Sequence, residues 1–310
     1  MIRLDSRQPI PDALKGGIVA LGNFDGFHLG HQAVVGEAIG WAKAENRPAI
    51  IATFDPHPVR FFKPDAEPFR LTTLDQRQDL FAAAGAGAML VIQFDEQVAG
   101  MTAREWIELG ISGHLGAMGV VTGEDFTFGK GRGGNPQVLH DIGGELGIAT
   151  RTVGPVNDMS GPVSSSRIRH ALQAGDCAEA ARMLTRPFAI RGAVQHGDKN
   201  GRLLGFPTAN LDMGTYLRPR YGIYAVRGRL PDGRVLNGAA NLGIRPSFDP
   251  PRELLEPHFF DFDGDLYGQE IEVAFHHFLR GEAKFDSMDA LKAQMDRDCD
   301  AARKLLSAPD

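Results

Sequence analysis

From Gly17 to about Leu184, short apolar runs alternate with segments of helical periodicity. The pattern predicts strands over residues 18–21, 49–54, 89–92, 119–121 and 148–153. Helices are predicted between these strands and, at the end of this part, over residues 166–173 and 177–184. Such alternation is typical of a parallel sheet covered on both faces, in which ligands bind at the carboxyl ends of the strands.

The character of the sequence changes at Thr185-Arg186-Pro187, where short alternating strands and Gly/Pro turns begin. Strands are predicted over residues 189–194, 222–230, 258–262 and 271–278, which indicates a small antiparallel barrel. A helix over residues 287–306 should pack on the barrel through the stripe Met288, Leu291, Met295, Cys299, Ala302 and Leu305. We therefore predict domains over residues 1–186 and 187–310.

Composition limits the function classes. A chain of 310 residues has room for two domains, and a formal charge of −6 argues against a general nucleic-acid binder. Cys177 and Cys299 have no metal-ligand spacing and are predicted to be free thiols of a reducing compartment. Met1 is followed by mixed polar residues, and no apolar run is long enough to span a bilayer. We expect a cytoplasmic protein without a membrane partner.

The turn over residues 22–31, Gly-Asn-Phe-Asp-Gly-Phe-His-Leu-Gly-His, joins the first predicted strand to a helix. His28 and His31 fall on one side of the first helical turn, where free N–H groups and the helix dipole favour an anion. This favours two histidines that grip a nucleotide triphosphate, although an ordinary β-turn with two surface histidines is the alternative. The other candidate binding residues of this turn are Gly22, Asn23, Phe24, Asp25 and Gly30.

A second anion site is predicted at the start of a later helix. Ser164 or Ser165 can cap that helix, while Arg167 and Arg169 add positive charge where the dipole is already positive. A bound anion would offset this cost. Two common phosphate sites are not predicted, because no predicted strand runs directly into a Gly-x-Gly-x-x-Gly turn that opens a helix, and Lys130 is followed by Gly131 rather than Ser or Thr.

The basic loop over residues 197–210 can wrap phosphates with its backbone N–H groups, although a plain hairpin loop is the alternative. The Thr208 hydroxyl and the Asn210 carbonyl offer hard oxygens that suit Mg²⁺. The candidate phosphate and ligand contacts of this loop are Gly197, Lys199, Gly201, Gly205 and Pro207.

These motifs, in this order, resemble the prokaryotic bifunctional riboflavin kinase/FAD synthetases. His-x-Gly-His resembles the nucleotidylyltransferase signature, residues 163–169 resemble Ile-Ser-Ser-Thr-x-Ile-Arg, and Gly-Phe-Pro-Thr-Ala-Asn resembles the riboflavin kinase signature. The resemblance implies an α/β parallel-sheet nucleotidylyltransferase (Rossmann-like) domain. A small antiparallel β-barrel riboflavin kinase domain with a C-terminal helix should follow it. The substrates would be riboflavin, FMN and ATP, with Mg²⁺.

The resemblance also implies roles for single residues. Glu256 matches the kinase's catalytic glutamate, and Arg169, with Arg167, would hold the β- and γ-phosphates in the adenylyltransferase. Asp125 would reach the adenylate, and Arg280 would help to seat the isoalloxazine. The implied contacts of the flavin or its phosphate are Phe54, Pro56, His57 and Phe128. Val163, Ser166, Asp55 and Ser247 are mild departures from the family pattern.

Two other classes of function remain open from the sequence. One is a nucleotidylyltransferase with a non-flavin substrate, whose barrel is only a binding module. The other is a non-catalytic flavin sensor, which would lack Glu256 and the histidine pair. Turnover of riboflavin with ATP separates all three.

Overall fold

The structure of the protein is a computed structural model that describes residues 1–196, 205–245 and 252–307. It forms two compact units. The first contains Met1–Glu67 and Leu74–Ser164, and the second contains Pro68–Thr73 and Ser165–Asp310.

The first unit is built on a sheet in which every neighbouring pair of strands is parallel. Its strands are β1 (Ile2–Asp5), β2 (Ile18–Leu21), β3 (Ala49–Asp55), β4 (Ala88–Gln93), β5 (Gly119–Gly123) and β6 (Ala149–Val153). Their order is β1-β4-β3-β2-β5-β6. The predicted parallel sheet is confirmed, whereas the short edge strand β1 was not predicted.

Helices cover both faces of this sheet. They are α1 (Leu29–Ala44), α2 (Pro58–Phe62), α3 (Leu74–Ala83), α4 (Glu96–Gly100), α5 (Ala103–Glu105), a π-helix (Trp106–His114) and α6 (Pro136–Glu145). Along β2, Ile18 faces α1, while Val19 faces the π-helix. Because the inner strands β2, β3, β4 and β5 are buried on both faces, they are largely apolar rather than alternating, whereas the edge strands β1 and β6 carry exposed polar residues. A short hairpin of β7 (Asn157–Asp158) and β8 (Gly161–Pro162) completes the unit.

The second unit is an antiparallel barrel with three helices on the described part of the chain. Its strands are β9 (Phe188–Ala193), β10 (Leu211–Asp212), β11 (Gly222–Arg229), β12 (Val235–Arg245), β13 (Arg252–Phe259) and β14 (Glu270–Arg280). Their order is β10-β13-β12-β11-β14-β9, and the Gln195 N–H donates to the Asn210 carbonyl at 2.8 Å to join the two edges. The helices are α7 (Ser165–Ala174), α8 (Cys177–Leu184) and α9 (Met288–Leu306).

The barrel and its last helix confirm the predicted fold but correct three details. Strand β12 was not predicted, and β13 covers Arg252–Phe259 rather than residues 258–262. On α9 the buried face is Asp298, Ala302 and Leu306, while Met288 and Leu305 of the predicted stripe are exposed. The face is rotated because Asp298 is bound by an arginine of β14. Among the helices of the described ranges, none is long and apolar enough to cross a membrane.

Segments before Pro187 belong to the barrel unit. The Arg220 N–H donates to the Leu172 carbonyl of α7 at 3.0 Å, and Leu172, Cys177 and Met183 are buried. Residues 68–73 also run beside the barrel, where the Arg70 N–H donates to the Thr215 carbonyl at 3.1 Å. The main segment of this compact unit therefore begins at Ser165, and the functional boundary at residue 187 stays a prediction.

We expect a fragment of residues 165–310 to be more stable than one of residues 187–310. The shorter fragment exposes the barrel surface that α7 and α8 cover, which should lower Tm by on the order of 10 °C. Thermal melts of both fragments, followed by circular dichroism, measure the difference. Equal melting temperatures would show that the two helices add no stability to the barrel.

Candidate functional site

The sheet of the first unit changes direction between β2 and β5. From β2 the chain adds β3 and β4 on one side, and then returns to place β5 and β6 on the other side. In open parallel sheets a ligand crevice forms at such a switch point, outside the carboxyl ends of the strands. The turn after β2, which carries His28 and His31, and the loop after β5, which carries Asp125, both begin at this point.

The turn after β2 has an unusual backbone. Phe24, Gly26 and Phe27 have φ values of 50°, 86° and 47°, a left-handed conformation that costs free energy for residues other than glycine. Both phenylalanine rings are buried, and they pack edge-on against Phe81 of α3 at centroid distances of 5.8 and 5.2 Å. Burial of the two rings stabilises this backbone.

The two histidines of the turn lie against each other. His28 is the N-cap of α1, and its Nδ1 accepts a hydrogen bond from the His31 N–H at 3.4 Å. The rings stack with centroids 3.6 Å apart, and a Cβ on Gly30 would lie only 3.2 Å from His28 Cε1. An Nδ1 that accepts a hydrogen bond corresponds, in a neutral ring, to the tautomer with its proton on Nε2.

Arg77 and Thr53, which were not predicted, fix the backbone of this turn through the Asn23 carbonyl. Arg77 of α3 is buried, and its guanidinium donates to the Asn23 carbonyl at 3.0 Å and to the Thr53 hydroxyl at 2.7 Å. Thr53 donates to the same carbonyl at 2.8 Å. The side-chain Oδ1 of Asn23 is buried and lacks a hydrogen-bond partner within the described ranges, which fits a ligand contact. Arg77 lies in a polar helical segment that gave no signal of this role.

The predicted flavin contacts Phe54 and Phe128 belong to one apolar cluster of the first unit. The ring centroids of Phe128 and Trp106 lie 5.0 Å apart. Trp106 was not among the predicted contacts. A cavity of about 320 Å³ opens beside Trp106, between the ends of β1 and β4 and the π-helix. Nε2 of His114 is buried at this cavity and has no partner in the described part of the chain.

Other predicted contacts of the first unit lie at strand ends. His57 caps α2, and its Nδ1 accepts a hydrogen bond from the Val59 N–H at 3.2 Å. Pro56 precedes it and is half-buried, and Asp125 is exposed just after β5. These positions agree with a ligand at the carboxyl edge, although their roles stay predictions.

The serine and arginine element is divided between the units. Ser164 is the last residue of the first unit, and Ser165 begins α7 in the second. Arg167 pairs with Glu179 at 2.9 Å, and Nε of Arg169 donates to the Phe69 carbonyl at 2.9 Å. Both arginines therefore have structural contacts within the second unit, and their phosphate role stays a prediction.

Polar residues form a row across three strands of the barrel. Glu256 of β13 pairs with Asn241 of β12, and β10 pairs with β13 on its other edge. The Ala209 N–H donates to the Pro257 carbonyl at 2.9 Å, so the pairing continues before β10 and places Asn210 opposite Glu256. Directly opposite residues point to the same face of a sheet. We call Asn210, Glu256 and Asn241 the polar row.

Thr208 lies two residues before Asn210, so that strand alternation continued to this residue would place it on the same face as the polar row. The next residue of β13 on this face is His258, whose Nδ1 lies 2.9 Å from the Pro207 carbonyl. Gly205, with a φ of 88°, begins this described stretch. The predicted contacts Gly197, Lys199 and Gly201 lie outside the described residues, as does Ser247.

Arg280 has a structural role in the barrel unit. Its guanidinium binds both carboxylate oxygens of Asp298, with Nη2 2.7 Å from Oδ2, and thereby ties β14 to α9. The guanidinium also lies 5.7 Å from the Phe285 ring. Its predicted contact with the isoalloxazine stays a prediction.

The cysteines carry no visible chemistry. Both are free, and burial raises the pKa of Cys177 to about 12 and that of Cys299 to about 11. Thiols with such pKa values stay protonated at neutral pH and are poor nucleophiles. Within the described residues, no three His, Cys, Asp or Glu side chains are grouped to hold a metal ion.

Family models and known proteins match both halves of the chain. The FAD synthetase model matches residues 10–167, and the riboflavin kinase model matches residues 184–306. Bifunctional riboflavin kinase/FMN adenylyltransferase of Haemophilus influenzae is 36% identical over 95% of this chain and 96% of its own length. The proteins of that name from Escherichia coli K12 and Bacillus subtilis are 37% and 36% identical, each over 94% of this chain and over 93% and 92% of their own lengths.

A solved structure has the same architecture over the whole chain. A crystal structure from Streptococcus pneumoniae, described as that of a macrolide-efflux protein, superposes with a TM-score of 0.87 at 29% identity. The match covers 98% of this chain and 99% of that one. The resemblance drawn from the motifs is confirmed by the family models and the relatives: this chain belongs to the family of bifunctional riboflavin kinase/FMN adenylyltransferases.

Proposed function

We propose that this enzyme makes flavin cofactors in two steps that both use ATP. The barrel unit phosphorylates riboflavin to FMN, and the parallel-sheet unit adenylylates FMN to FAD and releases pyrophosphate. Membership of the family is the observation that carries this proposal, since both family models match in the order of the two units.

In the barrel, Glu256 acts as the general base. Its carboxylate accepts the proton of the terminal ribityl hydroxyl while the hydroxyl oxygen forms a bond to the γ-phosphorus of ATP. The bond from that phosphorus to the β-phosphate oxygen breaks, and ADP leaves. The position of Glu256 in the middle of the polar row, with polar side chains on both sides, supports this role.

Thr208 and Asn210 would hold Mg²⁺. Both present oxygen donors of the kind that Mg²⁺ prefers, on the same face as Glu256. The donor set therefore fits the ion, which would neutralise charge on the ATP phosphates when bound. The chain supplies the base and fixes its orientation.

In the parallel-sheet unit, adenylyl transfer is direct. An oxygen of the FMN phosphate attacks the α-phosphorus of ATP, the bond to the β-phosphate oxygen breaks, and pyrophosphate leaves. His28 and His31 stabilise the charge that develops on pyrophosphate. The stacked rings at the N-terminus of α1 and their place at the switch point support this role. From the family resemblance alone, Arg169, with Arg167, stays the predicted contact of the β- and γ-phosphates, and Ser164 and Ser165 stay predicted nucleotide contacts.

The flavin ring of FMN would bind against the apolar cluster of the same unit. A planar aromatic ring is stabilised by aromatic side chains. Phe54 and Phe128 belong to this cluster, and Phe128 packs on Trp106, which also lines the cavity between β1, β4 and the π-helix. Asn23 Oδ1 and Asp125, at the carboxyl edge, are then candidate contacts of the adenylate.

The alternative functions have less support. A nucleotidylyltransferase for a non-flavin substrate would not require a riboflavin kinase sequence in the barrel. A flavin sensor would need neither Glu256 nor the histidine pair, and both are present.

The two free thiols support our expectation of a cytoplasmic location.

Replacing either histidine should separate the two activities. His28→Ala or His31→Ala should lower FAD formation from FMN and ATP by on the order of 10²-fold or more, because a donor to the departing pyrophosphate is lost. FMN formation from riboflavin should continue. Both products are measured by chromatography. His140→Ala serves as the control, because His140 is an exposed histidine in the same unit. Undiminished FAD synthesis in a double variant that carries both His28→Ala and His31→Ala would exclude the assigned role.

Glu256→Gln should lower riboflavin phosphorylation and leave FAD synthesis from FMN unchanged. Glutamine has a similar size but cannot take up the hydroxyl proton, so riboflavin phosphorylation should fall by about 10²–10⁴-fold. FAD synthesis from added FMN should remain at the parental rate. Glu270→Gln, at an exposed position of the same barrel, is the matched control. Parental phosphorylation by the Glu256 variant would show that another group is the base.

A further inference from the structure

Asn241 is the member of the polar row for which neither the sequence nor the family comparison gave a role. Its side-chain Oδ1 is buried and has no hydrogen-bond partner among the residues that the structure describes. A buried acceptor of this kind is costly in a folded protein unless a ligand or water supplies the donor. The polar row therefore contains an acceptor that is ready for a hydrogen bond.

The polar neighbours of Asn241 on this face are acceptors, while Ile223, its partner on β11, is apolar. Glu256 lies opposite it on β13. Gly243 is the next residue of β12 on the same face, and a Cβ there would collide with the carboxylate of Glu282. A ligand that satisfies this surface must bring several donors, and a chain of hydroxyl groups does so.

We propose that Asn241 Oδ1 accepts a hydrogen bond from a ribityl hydroxyl of riboflavin. The contact holds the hydroxyl chain so that its terminal hydroxyl reaches Glu256. This inference rests on the proposed kinase function of the barrel. Asn241 is thus a substrate-binding residue that determines specificity for the polyol part of the flavin.

The order of strands explains why a hydroxyl chain, rather than Mg²⁺, belongs at Asn241. Neighbouring strands lie about 4.8 Å apart, so Asn210 and Asn241 are separated by roughly 10 Å, with Glu256 between them. The predicted Mg²⁺ and phosphate side is that of Thr208 and Asn210. The opposite side of the base is then the side from which the hydroxyl that accepts the phosphate approaches.

The test combines a variant with substrate analogues that lack one ribityl hydroxyl each. Asn241→Ala should lower kcat/KM for riboflavin by about 10- to 100-fold, as expected for a lost hydrogen bond to a buried group. Of 2′-, 3′- and 4′-deoxyriboflavin, the one that lacks the bound hydroxyl should be a poor substrate for the parent enzyme. Its kcat/KM should be almost the same in the variant as in the parent. The KM for ATP and the Mg²⁺ dependence should not change.

Asn237→Ala is the matched control, because Asn237 is an exposed asparagine on the same strand and face. If Asn241→Ala lowers Tm, Asn241→Ser keeps an acceptor and should retain part of the discrimination between riboflavin and the analogue.

Equal use of riboflavin and all three analogues by the parent enzyme would overturn the proposal, as would an equal loss on all four substrates in the variant. A changed Mg²⁺ dependence would assign Asn241 to the metal instead. If the parent enzyme makes no FMN at all, the kinase function itself is wrong.

Discussion

The packing of Phe24 and Phe27 on Phe81 is the contact on which the histidine site depends. It keeps a turn with left-handed residues in one conformation, and the same turn positions the N-cap of α1 and both imidazoles. Arg77 and Thr53 fix the Asn23 carbonyl from the opposite side. The phosphate role that we propose for the two histidines requires donors that are oriented before the ligand arrives, and the packing of these aromatic rings provides that orientation.

The two units orient polar groups by different means. In the parallel sheet, the turn after β2 and the loop after β5 begin at the switch point, where open sheets form a ligand crevice, and the histidine pair lies at the N-terminus of α1. In the barrel, the polar row lies on the strands themselves, so that backbone pairing sets the spacing of Asn210, Glu256 and Asn241. Strand-borne groups are held more rigidly than loop-borne groups, which suits a base that must meet one particular hydroxyl.

Local patterns predicted much of this molecule. Alternating strand and helix periods were sufficient for the parallel sheet, and a ten-residue motif was sufficient to find the histidine pair. The contact between Arg77 and Asn23 joins residues 54 positions apart, and a polar helical segment contains no sign of it. Strand β12 was missed because its Gly, Ala and Asn residues have low strand propensity. The polar row could not be predicted, because it depends on the pairing register between neighbouring strands. The residues of one strand do not fix that register.

The path of the chain through residues 68–73 has a consequence for how such an enzyme can evolve. These residues belong to the barrel unit, yet the chain on both sides of them belongs to the parallel-sheet unit. No single break in the gene can therefore yield two polypeptides that each contain a complete unit. A break at residue 164 would leave residues 68–73 on the polypeptide of the parallel-sheet unit, so that a barrel made from residues 165–310 alone would lack this segment.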